Sequence, residues 1–259
     1  MTKTAVPPTD DDIPSLKSFF LQAVLWLPLA FFFWWLLRSV AVFPAIRAAH
    51  WVLLNWLPEL VQSVSQDVVS DPGKMEMTSM VFEVRVHTHG LIGNPDSVIG
   101  IASYGNALQY CYGLPVLFGL VMATPLDWTR TFLQWLGGAM ILVPVQAFGL
   151  IGDALNSAQR GLAQAVMQGL ADMPDIDHAA VPELAMRAQA DAQSILLSHG
   201  LGPENLALWF QFGYLILPSL TPVVVWLVFN RNFIEKLTRR RELAPANAGP
   251  SATTDRTPP

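Results

Sequence analysis

Residues 206–229 read LALWFQFGYLILPSLTPVVVWLVF and carry no charged side chain. A helix needs about 20 apolar residues, at roughly 1.5 Å rise each, to cross the hydrocarbon core of a bilayer. The next residues, 230–241, read NRNFIEKLTRRR and hold five of the chain's fifteen basic residues. Such a Lys/Arg cluster keeps the segment that follows a span on the cytoplasmic side. The sequence therefore predicts a last membrane-spanning helix that ends in the cytoplasm.

The composition as a whole is that of a membrane protein. Of 259 residues, 52% are hydrophobic and 14% are charged, whereas roughly a quarter are charged in soluble domains. The formal net charge of −5 argues against a nucleic-acid partner despite the basic cluster. The single cysteine, Cys111, excludes an intramolecular disulfide and a multi-cysteine metal site. Nothing in the sequence indicates a cofactor or a small-molecule ligand.

Three earlier apolar runs are also long enough to span the bilayer, at about residues 18–37, 107–124 and 131–151. Four spans and a cytoplasmic C-terminus put the N-terminus in the cytoplasm as well. The segments 44–103 and 153–204 then lie outside. The first holds three basic and six acidic residues, and the second holds two basic and seven acidic residues. This distribution agrees with the rule that basic residues concentrate on the inside.

The sequence of segment 44–103 predicts a helix followed by β-structure. In residues 43–64, polar residues such as Arg47 and Glu59 interrupt the apolar ones, so we expect a helix that lies in the membrane interface. A re-entrant or spanning helix is the alternative, although it would bury both charges at a few kcal/mol each. In residues 75–89, Phe82, Val84 and Val86 alternate with polar residues. This period predicts a small β-hairpin followed by a loop over residues 90–100.

The segment 153–204 is rich in Ala and Gln and predicts two amphipathic helices, separated at Met173-Pro174-Asp175. One face of the second helix is apolar and consists of Leu184, Ala188, Ala192 and Ile195. The predicted fold is an all-α membrane protein with four transmembrane helices, an interfacial helix, a small extracytoplasmic β-hairpin and this amphipathic segment. Residues 18–238 form the membrane domain. We expect residues 1–17 to form a disordered cytoplasmic tail, and residues 239–259 to form a second tail that is first basic and then disordered.

One candidate catalytic set combines Cys111, near the outer end of the second span, with Arg160 and His199, or with His178 in place of His199. In a membrane cysteine transpeptidase or protease, the thiolate would be the nucleophile, the histidine the acid and base, and the arginine the stabiliser of the oxyanion. The alternative is that Cys111 only fills a helix contact. Neither histidine has a recognisable local motif, so we predict that the protein is not an enzyme. His87 and His89 have no third ligand nearby, and we predict no metal site.

Contacts between helices are the other candidate function of the spans. Gln146 lies inside the third span and Gln211 inside the fourth, and such polar groups form interhelical hydrogen bonds. Gly138 and Gly213 allow helices to approach closely. We therefore predict that these four residues bind a partner within the membrane. A transporter would instead show ionisable midplane residues or an inverted repeat, and this sequence has neither.

Several stretches together resemble a family. They are WLPLAFFFW at 26–34, YGLPVL at 112–117 before Ala123-Thr124-Pro125, PVQA at 144–147, FGYLILP at 212–218, Pro222-Val223, Trp226-Leu227, and NRNF at 230–233. Their order is similar to that in the exosortase H-associated membrane proteins, which are small bacterial inner-membrane proteins. The resemblance covers roughly residues 18–238, except for 153–204, which is longer than the family leads us to expect.

The resemblance implies a role auxiliary to an exosortase, an enzyme that cleaves proteins with a C-terminal sorting signal, a span and a basic tail. The expected function is that of a non-catalytic accessory protein in the bacterial inner membrane, which binds the exosortase or the membrane-anchored proteins that it sorts. The cysteine transpeptidase with Cys111, Arg160 and His199 is the first alternative. The second alternative is an assembly or transport subunit unrelated to sorting.

Overall fold

The computed structural model of the chain describes residues 16–71, 74–88, 97–171 and 177–235. Several predicted features lie outside these ranges: nearly all of the N-terminal tail, the tail that begins at residue 239, most of the loop at 90–100, the break at Met173-Pro174-Asp175, His89, and the basic residues 236–241. The described residues form two regions, each with its own hydrophobic core.

The first region is a bundle of apolar helices. Its members are α1 (Leu16–Leu36), the short α3 (Leu108–Cys111) with α4 (Gly113–Ala123), the first part of α5 (Trp128–Ala171), and α7 (Pro203–Gln211), which continues through a π-helix (Phe212–Ile216) into α8 (Leu217–Phe229). α4 packs against α1, α5 and α8. Leu117, Val121, Leu142 and Trp226 are buried in the core of this bundle.

Among the described residues, three helical stretches are long and apolar enough to cross a membrane: Leu16–Leu36, Trp128–Ala171 and Pro203–Phe229. They contain the predicted first, third and fourth spans. The predicted second span, residues 107–124, forms the shorter apolar helix Leu108–Ala123. Its length is roughly 24 Å, against about 30 Å for the hydrocarbon core. The four-span count therefore stays a prediction.

The second region joins a sheet to three helices. It contains α2 (Arg38–Trp56), the strands β1 (Val61–Asp71), β2 (Lys74–His87) and β3 (Val98–Asn106), the second part of α5, and α6 (Val181–Ser198). The strands are antiparallel in the order β1-β2-β3. Ile46 and Leu53 of α2 and Phe82 and Val84 of β2 are buried in one core with α5 and α6.

The prediction of one helix over residues 43–64 is wrong at its C-terminal end. The helix stops at Trp56, and Leu57 has φ −128° and ψ 56°, outside the helical region. Leu57 precedes Pro58, whose ring clashes with a helical conformation of the residue before it. Residues 61–64 belong to β1.

The predicted β-hairpin within residues 75–89 is also wrong. The alternating apolar residues do form a strand, but β2 is one strand of 14 residues that pairs with β1 on one side and with β3 on the other. Residues 98–100, predicted as loop, begin β3. The fold is therefore not all-α. The local alternation of apolar and polar residues indicates a half-buried strand, whereas long-range packing determines which strands pair with it.

The separate first amphipathic helix of segment 153–204 does not form, because α5 runs unbroken through 44 residues from the predicted third span to Ala171. The second predicted helix is confirmed as α6. Leu184, Ala188 and Ala192 are buried in it, and Ile195 packs against the same core. Gln189 ties α6 to α5, since the backbone N–H of Ala163 donates to its side-chain oxygen at 3.0 Å.

Candidate partner-binding site

Two of the four residues predicted to bind a partner, Gly138 and Gly213, lie in contacts between helices of this chain. A Cβ atom on Gly138 of α5 would lie 2.3 Å from Cδ2 of Leu117 in α4. A Cβ atom on Gly213 of the π-helix would lie 2.9 Å from the Cα of Gly149 in α5. Both glycines are buried and permit the close helix contacts that small residues allow.

The two glutamines have opposite surroundings. Gln146 of α5 is 1% exposed, and within the described ranges neither its side-chain nitrogen nor its oxygen has a hydrogen-bond partner. Gln211, the last residue of α7, is exposed. It lies on one helix face with the exposed apolar residues Leu208, Phe212 and Leu215. Of the four residues, Gln211 is thus the one on the outer surface of the bundle.

The three residues of the candidate catalytic set are not joined by any hydrogen bond in the part of the chain that the structure describes. Cys111 ends α3 and is 0% exposed. Arg160 is exposed on α5. His199 follows α6 and is also exposed, and its Nδ1 atom lies 2.9 Å from the carbonyl oxygen of Ile195 within the same helix. Cys111 is therefore buried, whereas Arg160 and His199, which would act with it in catalysis, are exposed.

A junction between the sheet and the bundle was not anticipated from the sequence. The carboxylate of Asp153 in α5 lies beside the hydroxyl of Tyr110 in α3 and interacts with it electrostatically. A Cβ atom on Gly105 of β3 would lie 2.8 Å from Oδ2 of Asp153. Tyr110 is buried, and its ring lies 6.1 Å from that of Tyr214 in the π-helix. Asp153 thus links elements from both regions of the molecule.

The sequence held a signal for this junction. Asp153 follows directly on the apolar run 131–151 and lies four residues after Gly149, so that both are on one helix face. Tyr110 packs on that face, because a Cβ atom on Gly149 would lie 2.5 Å from Cδ1 of Tyr110. Gly149 marks the face of α5 that makes close contacts. Asp153 lies on the same face and is therefore expected to point inward and not to solvent.

The outer surface of the bundle is apolar. Large exposed side chains cover α1 and α8, among them Leu21, Val24, Leu25, Leu220 and Val228. An open apolar groove of about 220 Å³ lies between α4 and the start of α5, lined by Phe118, Met122, Trp128, Thr131, Phe132 and Trp135. His87 is exposed on β2, and the described residues contain no group of three His, Cys, Asp or Glu side chains that could hold a metal ion.

Comparison with known proteins identifies a family that matches this chain. The profile of the exosortase H-associated membrane protein family matches residues 13–180 and 176–233 of this chain. The two matched parts together cover both regions of the fold, including the segment 153–204. No curated protein and no solved structure matches the sequence.

Proposed function

The chain belongs to the exosortase H-associated membrane protein family, and on that premise we propose that it is a non-catalytic accessory protein that binds the exosortase or the proteins it sorts. The observation that carries the non-catalytic part is the burial of Cys111, which is 0% exposed while Arg160 and His199 face outward. A nucleophile must reach its substrate together with its acid and base.

We further propose that the protein lies in the bacterial inner membrane with both termini in the cytoplasm. The sheet, the second part of α5 and α6 then lie outside. The basic cluster at 230–241 and the acidic excess in segments 44–103 and 153–204 support this orientation. The outer face of α2 supports contact with the membrane interface, because Val40, Phe43 and Trp51 are exposed on it beside Arg47.

We propose that the partner contact within the membrane includes Gln211. An amide side chain on an otherwise apolar, exposed helix face is costly to leave unpaired in lipid. A partner helix that packs on Leu208, Gln211 and Phe212 would supply its hydrogen bond. The buried residues Gly138, Gln146 and Gly213 would act indirectly by holding the bundle in the shape that presents this face.

Co-purification of the tagged protein with its exosortase in a mild detergent tests the proposal. We expect Gln211→Leu to weaken the association about fivefold, since an interhelical hydrogen bond contributes on the order of 1 kcal/mol. Gln168→Leu is the matched control, because Gln168 is exposed on the second part of α5, outside the apolar bundle, and should not affect binding. If the wild-type protein retains neither the exosortase nor a sorted protein, the proposed function is wrong.

A further inference from the structure

The outer edge of β3 has backbone groups without a partner in the described part of the chain. The N–H of Thr88 donates to the carbonyl of Ser97 at 3.0 Å, and the β2–β3 register continues from this pair without a bulge. Bonded and non-bonded pairs alternate along an antiparallel ladder. The odd-numbered residues 99–105 therefore bond to β2. The even-numbered residues 98–104 direct their N–H and C=O groups away from the sheet.

The opposite edge of the sheet is protected. Nδ1 of His50 in α2 lies 2.7 Å from the carbonyl oxygen of Val64 in β1, and the side-chain nitrogen of Gln66 donates to the carbonyl of Ser39 at 3.0 Å. β1 also has two register shifts against β2. Covering elements and bulges of this kind keep an edge from pairing with other chains.

Within the residues that the structure describes, β3 has none of these protections. Its sequence, VIGIASYGN, contains no charged residue and no proline, and its register with β2 is regular. The second part of α5 lies on the buried face of β3 and not along its edge, since it contacts the inward-facing Ile101 and Gly105. On the exposed face, Gly100 and Ala102 are small and Tyr104 is 62% exposed. The edge thus offers main-chain bonds and room for the side chains of an added strand.

The direction of β3 decides whether its edge can bind a second copy of this chain or binds a segment of a different protein. Ile101 packs near Gly169, while Gly105 packs near Asp153, so β3 runs opposite to α5 and toward the bundle. Its last residue, Asn106, is followed almost at once by α3. Given the proposed orientation, β3 runs toward the bilayer. Antiparallel pairing with β3 of a second copy would reverse this direction and invert that copy in the membrane, so a symmetric dimer through this edge is excluded.

We propose that the β3 edge binds an extended peptide segment of a different membrane-anchored protein by adding it as a fourth strand. Strand addition obtains its affinity from main-chain hydrogen bonds and its selectivity from the side chains beside the strand. Because β3 ends at the start of the apolar helices, the bound segment is the one that directly adjoins the partner's own span. This inference rests on the proposed function, in which that partner is the exosortase or a protein that it sorts.

The test compares two substitutions at one outward-facing residue. Ala102→Pro removes the outward N–H and blocks strand addition, whereas proline is tolerated on an edge strand where the N–H faces solvent. Ala102→Val keeps the N–H and suits a strand. We expect Ala102→Pro to reduce co-purification of the exosortase or sorted protein at least tenfold, and Ala102→Val to leave it unchanged. Tyr104→Lys, which places a charge on the same edge, should reduce it as well and replaces Ala102→Pro if that variant does not accumulate.

A photo-crosslinking amino acid at position 102, in otherwise wild-type protein in cells, identifies the occupant. The expected product is a crosslink to the exosortase or a sorted protein, mapped by mass spectrometry to residues next to a predicted span. A crosslink to a second copy of this chain, or no reduction with Ala102→Pro or Tyr104→Lys while the wild type still co-purifies its partner, would overturn the edge proposal and leave the proposed function standing. Failure of the wild-type protein to co-purify any partner would count against both the edge proposal and the proposed function.

Discussion

Gly213 and Gly149 face each other across the contact between the π-helix and α5, and a Cβ atom on Gly213 would lie 2.9 Å from the Cα of Gly149. In the other direction, a Cβ atom on Gly149 would lie 3.0 Å from the carbonyl oxygen of Gly213. Backbone therefore meets backbone, and neither side can rotate away as a side chain could. This contact joins the predicted third and fourth spans within one chain.

The first prediction concerns this contact. We expect Gly213→Ala to destabilise the folded protein by about 1 to 3 kcal/mol, because the added methyl group overpacks a backbone contact. Gly161→Ala is the matched control, since nothing lies within 4 Å of its Cβ position on α5 and alanine favours a helix by roughly 0.5–1 kcal/mol over glycine. Thermal unfolding in detergent measures both. Equal unfolding temperatures of Gly213→Ala and Gly161→Ala would contradict the close contact between Gly213 and Gly149.

A second prediction tests the junction at Asp153. Tyr110→Phe removes the hydroxyl that interacts with the carboxylate of Asp153, and a polar group left without its partner costs about 1–3 kcal/mol. Tyr112→Phe is the control. The hydroxyl of Tyr112 lies 2.8 Å from Oγ of Ser219, and Ser219 also donates to the carbonyl of Leu215, so Ser219 keeps a hydrogen-bond partner when the Tyr112 hydroxyl is removed. We expect a lower unfolding temperature for Tyr110→Phe than for Tyr112→Phe. Asp153→Asn should fall between them, because its amide oxygen can still interact with the Tyr110 hydroxyl.

The third prediction concerns Cys111. Because the thiol is 0% exposed, we expect no maleimide labelling of the folded protein and complete labelling after denaturation in SDS. Cys111→Ala should leave the processing of sorted proteins near normal, whereas loss of a nucleophile would lower the rate by orders of magnitude. A processing defect as severe as gene deletion, at normal protein level, would instead establish the cysteine transpeptidase.

The fourth prediction addresses the orientation and the short helix Leu108–Ala123. In a Cys111→Ala background, single cysteines at the exposed positions Tyr104, Thr129 and Ala190 report the side of the membrane. A membrane-impermeant maleimide applied to intact spheroplasts should label Tyr104→Cys and Ala190→Cys but not Thr129→Cys until the cells are lysed. Labelling of Tyr104 and Thr129 from the same side would show that residues 108–123 do not cross the bilayer.

Local features of the sequence were sufficient for the apolar helices and for one face of α6. The absence of charge over residues 206–229 indicates a helix long enough to span, because backbone polar groups in lipid must be satisfied within the segment itself. The repeat of Leu184, Ala188 and Ala192 places all three on one side of a helix whatever it packs against, and all three are buried.

Tertiary structure alone decided which elements meet. The alternation in β2 predicts a strand but not its partners, and the partner β3 has the plain sequence VIGIASYGN. Gly213 could equally have served another protein, yet it lies against Gly149 of the same chain. Asp153 could have faced water, yet it lies against Gly105 of β3 and beside the hydroxyl of Tyr110. Helix and span formation depend on interactions between residues a few positions apart, whereas strand pairing, helix contacts and the burial of a polar group depend on residues that only the whole fold brings together.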